Sequence, residues 1–162
     1  MKQSIRLFSR NLTAAMLFSA VSSLTLLSCI FLQNAENIGK YFIVGGATVF
    51  WLGLFFEQFF LWRANNLRRK IEDTHKLGKA HGRPGIISFF QNPVGAVSDI
   101  LLFVSLICLL IFMKLRIGEN AVQFIFITLL VFSFRFHCIL NGKNFKYKKA
   151  LEKRKVLQNE YK

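Results

Sequence analysis

The chain has 162 residues, 53% of them hydrophobic, with 22 Lys and Arg against 8 Asp and Glu and a formal net charge of +14. The apolar residues are gathered into long blocks and the charges lie between them, a segregation that a bilayer solvent demands. That pattern excludes an ordinary soluble domain, and the length allows one membrane domain, 1–162.

The first apolar block runs from about 12 to 32 without a charge. About 20 apolar residues at 1.5 Å rise cover a hydrocarbon core of roughly 30 Å, so it is a span by itself. Ala15, Ser19 and Ser23 recur every four residues on it, a stripe of small side chains suited to close helix packing. Leu26, Leu27, Ser28 and Cys29 have a faint likeness to a lipoprotein signal. The bulky Leu27 and the apolar run past Cys29 favour an uncleaved first helix over lipidation at Cys29.

The second block, about 41–62, is broken only by Glu57. Gly46, Gly53 and Glu57 are spaced by seven and four, so they share one stripe and turn Glu57 toward a neighbouring helix. Beyond it lies a basic loop, 63–93, whose first part has the composition of a helix. Gly78, Gly82, Pro84 and Gly85 break any such helix. The short apolar run 86–90 is expected either in the interface or folded against the base of the bundle, and Pro93 suits the first turn of the next helix. His75 and His81 read as solvated loop residues.

The third block, about 94–113, carries Asp99 near its start, and the fourth, about 121–140, carries Arg135. Spans 2 and 4 run the same way, so Glu57 and Arg135 reach the same depth, roughly 8–9 Å inside the membrane. The expectation is a Glu57–Arg135 pair with Asp99 close by, while His137, two residues from Arg135, faces nearly the opposite way. Burying such groups costs about 2.5–3.5 kcal/mol each at membrane centre, so they find partners. Two readings of the cluster stand: an ion pair that fixes helix register, or a proton or substrate site. The phenylalanines near this end, Phe55, Phe56, Phe59, Phe60, Phe132, Phe134 and Phe136, read as lipid-facing filler and interface anchors.

The tail, 141–162, places Tyr147, Ala150 or Leu151, Leu157 and Tyr161 at helical spacing among lysines. It is expected to lie on anionic lipid headgroups or to be offered to a partner. An offset of 80 aligns residues 68–72 with 148–152, a short compositional repeat.

Eighteen of the 22 basic residues fall in 1–10, 63–93 and 141–162, and only Lys40, Lys114 and Arg116 lie in the opposite loops. The positive-inside rule then places both termini in the cytoplasm. The expected fold is all-α, an integral membrane four-helix bundle, N-in and C-in, with basic cytoplasmic helical extensions after spans 2 and 4. Its expected place is a cell membrane, a bacterial cytoplasmic membrane by default.

No phosphate loop, nucleophile elbow or zinc-protease motif is present. Cys29, Cys108 and Cys138 sit singly in separate spans and read as packing residues. The expectation is therefore a non-enzymatic protein with no cofactor, metal or nucleic acid. It would be an accessory, assembly, regulatory or immunity-type partner of a larger membrane system, or a homo-oligomer. The alternative is a small oligomeric transporter or proton-coupled exporter using Glu57.

Overall fold

A computed structural model describes residues 2–28, 37–75, 89–90, 92–115 and 120–160. They form five helices in chain order: α1 (Lys2–Leu24), α2 (Asn37–His75), α3 (Pro93–Leu115), α4 (Asn120–Leu140) and α5 (Lys143–Glu160). No strand occurs among the described residues. Four segments are long and apolar enough to cross a membrane: Gln3–Ser28, Lys40–Asp73, Pro93–Lys114 and Val122–Leu140. Each leaves most of its surface uncovered by protein, as lipid-facing helices do.

The principal helix contacts run in a row, α2 on α1, α1 on α4 and α4 on α3. The arrangement is an open layer, with a groove between α2 and α4 for which α1 is the floor. α1 and α2 approach closely because α2 is glycine where they meet. A Cβ on Gly46 would stand on Ser28, and one on Gly53 would stand on Ser22. Ala15, Ser19 and Ser23 are fully buried on α1.

α1 begins at Lys2, well before the apolar block does. Its first turns are held by packing: Phe8 is fully buried with Ala64, Ile71, Tyr147 and Leu151, and its ring meets Tyr147 edge-on at 5.9 Å. Burying a Phe from water is worth about 1.5–3 kcal/mol. α2 has 39 residues, about 58 Å, so it runs well past the membrane length into this same base. The start of α1, the end of α2 and α5 thus share one small apolar core.

Two expectations change here. His75 is the last residue of α2 and not part of a loop. Tyr147 and Leu151 of the tail are not offered to lipid or to a partner; they are buried against α1 and α2, because the helical start of α1 supplies an apolar surface that the tail covers. Leu157 has no described side chain, and Tyr161, Cys29 and His81 lie outside the described residues.

The entry to α3 is tied down by one side chain. Asn92 accepts from the Val94 N–H at 3.2 Å, caps the helix ahead of Pro93, and donates to the Leu140 carbonyl at 2.8 Å. Lys149 of α5 donates to the same Asn92 oxygen at 2.7 Å. A single amide therefore joins the start of α3, the end of α4 and α5.

Candidate functional site

Ser22 and Ser23 of α1 prepare a site for a cation. Each hydroxyl donates back to a carbonyl one turn earlier, Ser22 to Phe18 at 2.6 Å and Ser23 to Ser19 at 2.8 Å. That habit of serine in apolar helices leaves the hydroxyl oxygens as acceptors on the helix surface. Arg135 of α4 fills it. One terminal nitrogen donates to Ser22 Oγ at 2.6 Å and Ser23 Oγ at 3.0 Å, and the other pairs with the Glu57 carboxylate of α2. Glu57 is 4% exposed and the Arg135 side chain is nine-tenths buried. The guanidinium lies 6.0 Å from the Phe50 ring centroid, and its Nε has no hydrogen-bond acceptor among the described residues.

The structure thus brings Glu57 and Arg135 together, with α1 between their helices. It does not add Asp99 to them. Asp99, fully buried, pairs with Nδ1 of His137 and accepts the backbone N–H of Phe90 at 2.7 Å. The reason is angular: residues two apart on a helix point nearly opposite ways, so α4 turns Arg135 to α1 and α2 and His137 to α3. Asn141 lies 3.1 Å from the same imidazole nitrogen. The Phe89 ring stacks on the imidazole at 4.2 Å between centroids, and Phe90 is held at φ 55, a conformation that bulky residues avoid.

An Asp–His pair of this form can orient an imidazole base. Here both side chains are fully buried and Phe89 covers the ring, so the geometry is that of a helix clamp. His137, Ser22, Asn92, Asn141 and Phe89 are the residues that sequence reasoning did not assign to a site. Its one usable signal was the position of His137 opposite Arg135 on α4.

The groove between α2 and α4 encloses about 610 Å³. Leu12 forms its floor, Leu54, Leu61 and Trp62 one wall, and Phe134, Cys138 and Ile139 the other. Glu57, Gln58 and Asn65 of α2, Arg135 of α4, and Gly142, Lys143 and Asn144, where α4 passes into α5, complete its lining. Trp62 and Phe134 are 59% and 42% exposed, so the groove opens sideways. The expected set of phenylalanine anchors divides. Phe55, Phe59 and Phe134 remain exposed, Phe56 stacks on Phe18 of α1 while still exposed at its other face, and Phe60 stacks on the same ring and is half-buried. Among the described residues no three His, Cys, Asp or Glu side chains converge as metal ligands would.

No family model matches this chain, and neither a curated protein nor a solved structure is significantly similar to it.

Proposed function

We propose that the chain is a multi-pass protein of the cell membrane with both termini in the cytoplasm. In this reading it works without catalysis, as an accessory, assembly, regulatory or immunity-type partner of a larger membrane system, by lying side by side with that partner's helices. The carrying observation is the open row. α3 packs principally on α4 alone and leaves Val97, Ile100, Val104 and Ile107 exposed along its free face. At the other end of the row, Gly45 of α2 has nothing within 4 Å of where its Cβ would be. A helix glycine costs about 1 kcal/mol relative to alanine, and a small residue on a free membrane face lets another backbone come close. The excess of basic residues in 1–10, 63–93 and 141–162 supports the cytoplasmic orientation.

Photoreactive side chains at Ile100, Val104 and Ile107, one at a time in native membranes, test this. The expected result is one membrane protein of constant mass joined at all three positions and not from the buried Ser105. Adducts with lipid alone count against it. Reporter tags at residues 1 and 162 are expected in the same, cytoplasmic compartment.

The groove that reaches Glu57 supports a second reading, a small transporter. Loss of a measured proteoliposome flux in Glu57→Gln, with the fold retained, would favour that reading over the first.

A further inference from the structure

Gln58 of α2 is exposed within a segment long and apolar enough to cross a membrane, and its amide makes no hydrogen bond among the described residues. Its neighbour Glu57 turns inward and is buried beside Arg135, whereas Gln58 turns outward. Trp51, Phe55, Gln58 and Trp62 follow one another at steps of four, three and four residues, so they share one stripe of the helix. The three rings are exposed. Thr48, one turn earlier on that side, has its hydroxyl satisfied by the Val44 carbonyl at 2.8 Å. Gln58 is thus the side chain of the stripe that still needs a polar partner.

Tryptophan favours the headgroup level of a bilayer, and Gln58 stands one turn, about 6 Å, deeper than Trp62. Lipid tails offer an amide neither donor nor acceptor, and a polar group left unsatisfied there is costly. What satisfies an amide best is another amide. Each has an acceptor oxygen and a donor nitrogen, so two of them bond reciprocally. For chains inserted the same way, a twofold axis runs along the membrane normal and sets each residue opposite its own copy at equal depth. Between 41 and 62 the stretch carries no charge besides Glu57, which Arg135 pairs, so two such faces do not repel within the bilayer. Arg69 continues the stripe about 16 Å further on, where water and salt screen like charges.

We propose that the chain pairs with a second copy of itself through this stripe of α2, the two Gln58 amides bonding across the twofold axis. Trp51, Phe55 and Trp62 pack around them and keep lipid and water away. A polar residue at one layer of an otherwise apolar helix seam fixes register and the number of copies, which is the part Gln58 plays here. Gln58 and Trp62 also line the groove that reaches Glu57, so the second copy stands over one edge of that groove. The contact uses a face of α2 turned away from Gly45, and it stands or falls apart from the partner contact proposed for α3.

The test uses the full chain. Sedimentation in mild detergent over a dilution series is expected to show a monomer–dimer equilibrium. Gln58→Leu removes the amide from an exposed position and is expected to leave helicity unchanged. It is expected to weaken the dimer about tenfold, the worth of two interhelical hydrogen bonds in a membrane. In native membranes a photoreactive side chain at Phe55 is expected to give an adduct of twice the chain's mass, and one at Val104 of α3 none of that mass. A chain that stays monomeric at every concentration overturns the proposal, as does a Gln58→Leu dimer as tight as the unmodified one. A doubled mass from Val104 and not from Phe55 overturns it by assigning the pairing to α3. An adduct of Phe55 with a different protein, or with lipid alone, overturns it as well.

Discussion

Replacing Arg135 by Leu tests whether the buried pair holds the row of helices together. The substitution removes a cation bonded to Glu57, Ser22 and Ser23 on two other helices. It leaves the Glu57 carboxylate, 4% exposed, without its cation. Breaking a buried pair from one side costs about 3–5 kcal/mol. Glu57→Leu is expected to cost less, about 1.5–3 kcal/mol, because the arginine keeps both serine oxygens and its long stem can lift the charge toward water. The double variant carries neither charge, and apolar replacement of a whole pair is near neutral, about 0–2 kcal/mol. The two single costs, about 4.5–8 kcal/mol together, therefore exceed the double cost by at least about 2.5 kcal/mol, which is the coupling. Reversible unfolding of the four chains, in mixed micelles of rising denaturing-detergent fraction and followed by helicity, reads it directly. A coupling below about 0.5 kcal/mol would mean the contact contributes nothing to the fold.

Two glycines of α2 should respond in opposite directions. Gly53→Ala sets a methyl group against Ser22 and is expected to destabilise by about 1–3 kcal/mol, whereas Gly45→Ala meets open space and should gain up to about 1 kcal/mol in the same unfolding assay. Asp99→Leu removes the acceptor of both His137 Nδ1 and the Phe90 N–H; a loss of about 2–4 kcal/mol is expected, with faster hydrogen exchange at Phe90, and Asp99→Asn should retain more of both. Phe8→Ala opens the core shared by α1, α2 and α5, with an expected cost of about 3–5 kcal/mol and proteolysis of α5 before the spans unfold.

Depth was legible in the sequence and neighbour order was not. Block lengths located the four spans, and a shared distance from the end of each block brought Glu57 and Arg135 together. Nothing in the composition distinguishes α1 from α3 as the neighbour of α4, because lipid tails are as apolar as leucine and select no partner. Asp99 was therefore assigned by depth to a cluster from which its azimuth excludes it, and His137 was seen to face away from Arg135 without a partner to face. Near the termini the error had another source. The sequence shows Phe8, Tyr147 and Leu151 in short stretches punctuated by charges, and each finds its cover only because residues more than a hundred positions apart meet.

The two charged pairs together account for the order of the row. Apolar contact in a bilayer is non-directional and tells α4 nothing about which helix belongs on which side. Arg135 can be satisfied only where serine oxygens and a carboxylate stand together, which places α1 beside α4 and brings α2 within reach. His137, turned the other way, pairs with Asp99, which places α3 on the opposite side. Toward the other end of the spans the described contacts are of a different kind: Gly46 against Ser28, and the stacked rings of Phe112 and Phe126 at 5.4 Å. Such contacts set distance but do not choose a partner. The basic end therefore specifies the arrangement, and the rest of each helix follows from where its first or last turns are held.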